Sequence, residues 1–448
     1  MNRGVPLNTP HFTCLIPTVT SRKELYKISL MSALTDSRQI RSLRTNLSWN
    51  FVGQAVAKAS LLIFHIVFAN LVGTAGYGAF SFVFVGGLIL LQPALDLGLN
   101  QLITKWVSRG NTEVVRLSFR IKGLTALGLI PLVLIIGWWL EVSLILLVTV
   151  LGFFLFNTLQ QSLFGILRGL EDLRPESFTV ALQNLLACAV LGFFVFQQIA
   201  EPWIGSLILM LTRFAGTIFV SGIIWKKYLS NLKKNKTVTL VLEQSQLLRE
   251  AVTLGLVLFL IQFYFRIDTI MLGVLSSKSE VGLYSVAFNL MEGTFFIPTI
   301  VMAAIFPGLS KVKQFSAYFR KGVLLLTLSG IAGGAVVFLL AESIILWFFA
   351  AEFQNSADIL KILAFAIPLV FWGYLMTQSL VALDHNRIYL LITASGLLLN
   401  VLLNFWLIPE YGASGAAIAT VITEALIPLS CFLMILKYHF SQSSTNVT

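Results

Sequence analysis

The sequence predicts an all-α protein whose helices cross a membrane many times. Hydrophobic residues make up 57% of the chain and charged residues only 11%, whereas soluble domains carry roughly 25% charged residues. The mean hydropathy is +0.86. The apolar residues are grouped in segments of about 20, which is the length that a helix needs to span the hydrocarbon core. A third observation, the placement of the basic residues, agrees with this fold class, so a soluble domain is excluded.

About twelve apolar segments are long enough to be transmembrane helices. Their predicted limits are 47–70, 79–104, 121–140, 143–167, 178–199, 203–225, 250–275, 282–306, 322–341, 357–382, 388–408 and 414–436. The ninth is followed by residues 344–353, which we predict to lie at the membrane interface, where aromatic side chains concentrate.

Lysine and arginine occur almost entirely at alternate ends of these segments. They lie in the N-terminal region, in 105–122, at Arg168 and Arg174, in 226–236, in 311–321, and at Arg387 and Lys437. The other ends hold only Lys278. Because an excess of basic residues marks cytoplasmic loops, both termini are predicted to be cytoplasmic. The net charge of +11 then faces anionic lipid headgroups, and nucleic acid is not an expected partner.

An internal repeat divides the chain into two halves of six segments each. Residues 70–81 align with 274–285 at a shift of 204 positions, and 169–174 align with 382–387 at a shift of 213. Halves with an even number of spans enter the membrane in the same direction, and such parallel repeats place a substrate site between them near the midplane.

The predicted parts of the chain follow from this division. They are a polar, basic and disordered cytoplasmic segment at 1–45, with Met31 as an alternative start, an N-terminal six-helix lobe with its cytoplasmic linker at 46–236, a C-terminal six-helix lobe at 237–440, and a tail at 441–448.

The stretch FRIDTIMLG, residues 265–273, places Arg266 and Asp268 inside an apolar segment. A charge near the bilayer centre costs at least about 2.5 kcal/mol, so each needs a favourable environment. Residues two apart on a helix project about 200° apart, and these two side chains therefore cannot pair with each other. Arg266 instead shares a face with Gln262 and Thr269, at spacings of four and three.

The same stripe has a counterpart in the first segment. A shift of 204 positions places Gln262, Arg266 and Thr269 on Lys58, Leu62 and His65, and Gln54 extends this face by one turn. Arg213, midway along the sixth segment, adds a third intramembrane cation. Two interpretations stay open: Lys58, Arg213 and Arg266 line a water-filled cationic lumen, or they snorkel and form ion pairs between helices.

Four intramembrane carboxylates complete the set of candidates, namely Asp96, Asp268, Glu292 and Glu424. We expect Asp268 to hold helices together or to gate the outer end. The other three are candidates for proton exchange or Na⁺ binding, and no pattern selects one of them. The histidines have no metal-site spacing, and P-loop, GxSxG and HExxH motifs are absent, so neither a metal, a cofactor nor an enzymatic activity is predicted.

Three blocks of sequence resemble a known transporter family. They are FRIDTIMLGVLSSKSEVGLYSVAFNL at 265–290, ANLVGTAGYGAFSF at 69–82 and LNFWLIPEYGASGAAIATVITE at 403–424. Together they are similar to the polysaccharide-biosynthesis flippases of the multidrug/oligosaccharidyl-lipid/polysaccharide exporter superfamily, and the resemblance extends from about residue 45 to the end.

The resemblance implies a bundle of six plus six helices that works by alternating access. It implies transfer of a polyprenyl-pyrophosphate-linked oligosaccharide to the outer leaflet of the cytoplasmic (inner) membrane, with H⁺ or Na⁺ as a counter-ion and other polysaccharide-assembly proteins as partners. The family's cationic lumen residues would correspond, by position in the segments, to Lys58, Arg213 and Arg266. Cations in a lumen would offset the hydration that a pyrophosphate loses in the membrane.

Two alternatives remain at this point. An ion-coupled drug or metabolite antiporter of the same superfamily would favour an acidic cavity over intramembrane cations. A membrane polysaccharide polymerase or glycosyltransferase would usually need a large external loop, whereas the predicted external connections are short.

Overall fold

The computed structural model describes residues 22–111, 113–234, 244–311 and 314–437, and this part of the chain contains helices and no strand. The N-terminal half consists of α1 (Arg22–Gly86), α2 (Gln92–Asp96), α3 (Leu99–Val107), α4 (Glu113–Trp139), α5 (Leu144–Gly169), α6 (Arg174–Phe196) and α7 (Pro202–Lys234). The C-terminal half consists of α8 (Gln244–Leu275), α9 (Lys278–Glu292), α10 (Phe296–Leu309), α11 (Phe315–Phe348), α12 (Ser356–Ala364), α13 (Ala366–Ala382) and α14 (Asn386–Ile435).

The all-helical fold class is confirmed, and the chain is a multi-pass membrane protein. Within the described ranges, eight helical stretches are long and apolar enough to cross a membrane, or nine if the pair α12 and α13, bent by 42°, is one span. The helix α14 covers two predicted segments, whereas α1 covers the first segment and only the start of the second. Each contains one glycine with non-helical backbone angles, Gly412 in α14 and Gly73 in α1. The count of twelve spans and the orientation of the termini stay predictions.

Local sequence signals mark where several helices begin. The Ser277 hydroxyl accepts a hydrogen bond from the Glu280 backbone N–H at 3.2 Å, which caps the first turn of α9. Proline occupies the first turn of α6 and the first position of α7, where its missing N–H leaves no intrahelical bond unmade. The predicted segment 1–45 is helical from Arg22, and residues 1–21 and 438–448 lie outside the described part.

The predicted segment at 79–104 is not one continuous helix. A short π-helix at Gly87–Leu91 precedes α2, and the chain then passes through left-handed backbone at Leu97 (φ 47°) and Gly98 (φ 73°) before α3 begins. Gly98 accepts this conformation easily, whereas a left-handed leucine costs about 1–3 kcal/mol. Residues 344–353 begin as the end of α11, which continues to Phe348, and a 3₁₀ turn follows at Ala351–Phe353. Their location at the membrane interface stays a prediction.

The two halves meet in direct backbone contact where α1 crosses α9. A Cβ atom on Gly78 would lie 1.7 Å from the carbonyl oxygen of Lys278, and one on Gly282 would lie 2.1 Å from that of Thr74. The contact is reciprocal, because Gly282 lies 204 positions after Gly78 and Lys278 lies 204 positions after Thr74. Reciprocity of this kind is what a two-fold axis produces.

Further contacts join the halves at both ends of the bundle. Near Gly73, the Asn70 side chain bonds the backbone of Phe348 and Ala350, both at 2.7 Å. At the opposite end, Lys105 of α3 forms a 2.9 Å ion pair with Glu250 of α8. The halves are thus in contact near both ends of the described spans.

We expect Gly78→Ala and Gly282→Ala to destabilise the protein, because a methyl group at either position overlaps a backbone oxygen and forces the helices apart. Overpacking of this kind typically costs about 1–3 kcal/mol. The measurement is the unfolding temperature of the purified protein in detergent. Gly192→Ala is the control, since a Cβ there meets nothing within 4 Å and alanine favours a helix interior. Equal unfolding temperatures for all three variants would contradict the close crossing.

Candidate functional site

Arg266 lies on α8 and is held against α9 at the junction of the two halves. Its Nη2 atom donates a hydrogen bond to Glu292 Oε2 at 2.6 Å, and its guanidinium lies 5.0 Å from the centre of the Phe288 ring. Phe288 and Glu292 are one turn apart on α9, so both face the same side chain. The exposed fraction of the side chain is 16% for Arg266 and 43% for Glu292. The cation is therefore enclosed and its counter-ion is accessible.

A hydrogen-bonded chain from the N-terminal half adjoins this ion pair. The Tyr77 hydroxyl lies 3.1 Å from His65 Nδ1 and accepts a 3.0 Å hydrogen bond from Asn289 Nδ2 on α9. Asn289 and Glu292 are three residues apart on α9, so the hydrogen-bonded residues lie beside the ion pair. We call these five residues, His65, Tyr77, Arg266, Asn289 and Glu292, the junction cluster.

Part of the junction cluster borders open space. A small cavity is lined by His65, Tyr77 and Asn289 together with five apolar residues. The sequence does not place Tyr77 in a polar stripe, because a tyrosine among other aromatic residues is typical of a packed core. Its partner on the other half, Asn289, becomes apparent only when α1 and α9 are brought together.

Lys58 lies on the same face of α1 as His65, two turns away, and is exposed. Neither Lys58 nor Gln54 nor Gln262 makes a hydrogen bond or ion pair with the part of the chain that the structure describes. Thr269 is buried. Lys58 is thus a cation without a partner among the described residues, on the helix that carries the N-terminal part of the junction cluster.

Arg213 is enclosed within the N-terminal half by uncharged partners. Its Nη1 atom donates to Gln160 Oε1 at 3.2 Å and to Gln183 Oε1 at 3.1 Å, and its guanidinium lies 5.7 Å from the Phe153 ring centre. Gly216, one turn away, leaves room for the two amides, because a Cβ there would lie 1.5 Å from Gln183 Nε2. The three predicted lumen cations therefore have three different surroundings and do not contact one another.

Lys122 was expected at the loop end of a span, and the structure corrects this. Its side chain is only 2% exposed, and its Nζ atom lies 2.9 Å from Asp96 Oδ1, 2.7 Å from Asn100 Oδ1 and 2.8 Å from Ser162 Oγ. The break after α2 places Asp96 and Asn100 beside α4. Sequence reasoning missed this cation because it follows other basic residues at the start of an apolar segment. Asp96 thus has a cationic partner.

Asp268 and Glu424 share a cavity in the C-terminal half. Asp268 accepts hydrogen bonds from Tyr284 Oη at 2.8 Å, Asn404 Nδ2 at 2.6 Å and Thr420 Oγ1 at 2.7 Å. Glu424 accepts one from Tyr264 Oη at 2.7 Å. Both carboxylates are buried and line the same small cavity.

The surroundings of Asp268 are separate from those of Arg266, as helical geometry predicts. No cation forms an ion pair with Asp268 or Glu424 within the described residues. No cluster of three or more metal-ligating side chains occurs in that part of the chain either. The cavity therefore presents two carboxylates supported only by hydroxyl and amide groups.

Comparison with protein families gives two matches. Residues 43–313 match the model of a family described as polysaccharide biosynthesis protein, which is more than half of the chain. Residues 254–406 match the MatE family.

Curated relatives match parts of the chain. An uncharacterized membrane protein of Methanocaldococcus jannaschii is 27% identical over 60% of this chain and 65% of its own length. The probable low-salt glycan biosynthesis flippase Agl15 of Haloferax volcanii is 27% identical over 40% of each chain. The probable flippase AglR of the same organism is 29% identical over 36% of each chain. The chain thus spans less than two thirds of the length of these relatives.

Solved structures share the fold at low identity. The lipid II flippase MurJ in an inward closed conformation superposes with a TM-score of 0.69 at 15% identity, covering 86% of this chain and 87% of that one. An inward-facing multidrug resistance MATE family transporter of the MOP superfamily superposes with a TM-score of 0.67 at 14% identity, covering 88% and 99%. These likenesses show a MurJ- and MATE-like fold.

We expect Lys122→Met to destabilise the protein strongly, because it leaves the buried Asp96 carboxylate without its cation. Removing one partner of a buried pair typically costs about 3–5 kcal/mol. Adding Asp96→Asn should restore part of the loss, and thermal unfolding in detergent measures both. Lys105→Met, which breaks an exposed pair, should cost about 0–1 kcal/mol. A Lys122→Met protein as stable as the Lys105→Met protein would refute the structural role of the pair.

Proposed function

The chain belongs to the polysaccharide biosynthesis protein family, and from that premise we propose that it flips a polyprenyl-pyrophosphate-linked oligosaccharide from the cytoplasmic to the outer leaflet of the cytoplasmic membrane. The observation that carries the proposal is Arg266, a cation enclosed at the junction of the two halves with an accessible counter-ion. The process is transport and needs no chemical reaction, cofactor or metal. Membrane lipid surrounds the protein, and other polysaccharide-assembly proteins would supply and consume the substrate.

The chemistry of the headgroup supports this assignment. A pyrophosphate loses its hydration when it enters the membrane, and a guanidinium can replace part of it with two parallel charge-assisted hydrogen bonds. Only one N–H of Arg266 is used by Glu292 in the described contacts. Lys58 and His65 extend the polar face of α1 over two turns, about 10 Å along the helix. A headgroup would thus move from Lys58, which has no partner among the described residues, to the junction cluster.

In alternating access, the two halves would move relative to each other. We propose six spans in each half, with lobes at 46–236 and 237–440 related by the internal repeat and with both termini cytoplasmic. The reciprocal contact of Gly78 and Gly282 supports a two-fold relation, and the contacts between halves near both ends supply interfaces that could open in turn.

The cavity of the C-terminal half would bind the coupling ion. Of the four candidate carboxylates, Asp96 is paired with Lys122 and Glu292 with Arg266, whereas Asp268 and Glu424 have neutral partners. A carboxylate without a cation is the one that gains most from H⁺ or Na⁺. We therefore place ion coupling at Asp268 and Glu424.

A cation antiporter of the same superfamily is the second candidate. Its supporting observation is the same cavity, in which two carboxylates lie among aromatic side chains, and both kinds of group attract cations. The two functions make opposite demands on Arg266, since a cationic substrate would be repelled by it.

We expect Arg266→Gln to lower the flipping rate at least about tenfold, because it removes the charge-assisted hydrogen bonds to the headgroup. The assay follows a fluorescent polyprenyl-diphosphate oligosaccharide across the bilayer of proteoliposomes. Arg320→Gln, at an exposed position of α11, is the control and should retain the wild-type rate. A fully active Arg266→Gln protein would refute the flippase assignment.

The ion-coupling proposal predicts that Asp268→Asn and Glu424→Gln abolish the effect of an H⁺ or Na⁺ gradient on the flipping rate. The amides keep the shape of the side chains and remove the charge that the ion would neutralise. Flipping measured with and without each gradient tests this. Glu410→Gln on α14 is exposed and should leave the gradient effect intact. Gradient-dependent flipping by both cavity variants would place coupling elsewhere.

A further inference from the structure

We propose that Glu292 is a built-in substitute for the substrate's phosphate: it neutralises Arg266 when the transporter is empty and is displaced when the headgroup binds. This inference rests on the proposed function and assigns Glu292 a role in substrate affinity and in the return of the empty protein. It concerns anions bearing phosphate or diphosphate groups.

The first step of the argument is the difference in burial between the two partners. Arg266 is confined by the Phe288 ring and by α9, and only 16% of its side chain is exposed. Glu292 is 43% exposed, and one of its two carboxylate oxygens makes the contact. When such a pair opens, the carboxylate is the member that can move into open space while the guanidinium keeps its place.

The second step is the position of Glu292 at the end of its helix. It is the last residue of α9, and a 3₁₀ turn at Gly293–Phe295 follows. A Cβ on Gly293 would meet nothing within 4 Å. The chain beside Glu292 is therefore uncrowded at Gly293, and the carboxylate itself is partly exposed, so it can be displaced without a clash at that position.

The third step is the set of neighbouring polar groups. His65, Tyr77 and Asn289 are hydrogen-bonded to one another and form no described bond with Glu292. Displacing Glu292 thus breaks one contact and leaves the rest of the junction cluster intact. The carboxylates Asp268 and Glu424 are bonded to hydroxyl and amide groups elsewhere and do not take its place.

The last step is electrostatic. An unpaired guanidinium enclosed in a membrane protein is costly, so an empty transporter with a bare Arg266 would resist any conformation that buries the junction further. With Glu292 in place, Arg266 is neutralised both before binding and after release. The same carboxylate competes with the headgroup, so it lowers the affinity for substrate and promotes its release.

Binding and flipping by the full-length protein in nanodiscs and proteoliposomes test the inference, with a fluorescent polyprenyl diphosphate as the probe. We expect Glu292→Gln to bind the probe about tenfold more tightly, since the competing charge is gone, and to flip it more slowly. Glu292→Asp, which keeps the charge on a shorter side chain, should lie between Glu292→Gln and the wild type. A purely structural role would predict weaker binding for both variants.

Glu342→Gln is the matched control, because Glu342 also pairs with a less exposed cation, Lys361, away from the junction. The Glu342→Gln protein should bind the probe with the affinity of the wild type. Glu292 variants that bind the probe no more tightly than the wild type, while Arg266→Gln weakens binding, would overturn this inference and leave the proposed function standing. Failure of the wild-type protein to bind or flip the probe would overturn both. Should Glu292→Gln not fold, the affinity of Glu292→Asp decides.

Discussion

The cost of placing charge in a low-dielectric bundle governs how each intramembrane cation is surrounded. Lys122, the most enclosed, has a carboxylate and several neutral acceptors within hydrogen-bonding distance. Arg213 has two amide oxygens, and Arg266 has one exposed carboxylate. Lys58, which is exposed, has no described partner. The most buried cation thus has the most partners and the exposed one has none among the described residues, as the cost of desolvation requires. The cations with unused donors are the ones that can serve a substrate.

Close backbone contact is the second constraint, and it decides where the halves can meet. The crossing at Gly78 and Gly282 has no space for any side chain on either residue. A contact this close brings α1 and α9 near enough for Tyr77 and Asn289 to bond across the junction. The glycine pair and the junction cluster therefore belong to one arrangement. Because Gly78 and Gly282 have no side chains, α1 and α9 come close enough for the neighbouring polar side chains to bond to each other.

Apolar length and the absence of strand signals were enough to predict the helices, because a membrane helix satisfies its own backbone. The segments predicted at 143–167 and 178–199 correspond to α5 at Leu144–Gly169 and α6 at Arg174–Phe196. The break at Leu97 was not predictable from hydropathy, since it depends on how Gly98 and the buried Asp96 pack against other helices.

The polar residues could be recognised individually but not assigned partners. Helical spacing separated Arg266 from Asp268 correctly, since both lie on one helix and their angular offset is a local property. The partners of Arg266 and Lys122 lie on other helices and depend on tertiary packing. Glu292 and Asp96 were therefore only candidates, and Tyr77 gave no signal at all. The spacing of residues within one helix can be used to predict which side chains share a face, whereas ion pairs between helices can be identified only from the three-dimensional structure.

The positions of Arg266 and Asp268 on α8 suggest how substrate and coupling ion could be connected. Arg266 faces the junction between the halves, and Asp268 faces the cavity between α8, α9 and α14. Under the proposed function, the anion and the coupling cation would bind to opposite faces of one helix, two residues apart. Under that proposal, a cation that changes the hydrogen bonds of Asp268 acts on the helix that also carries Arg266, and any movement of α8 against α9 changes the distance between Arg266 and Glu292. Coupling then needs no long pathway, because a single rigid helix carries both charges.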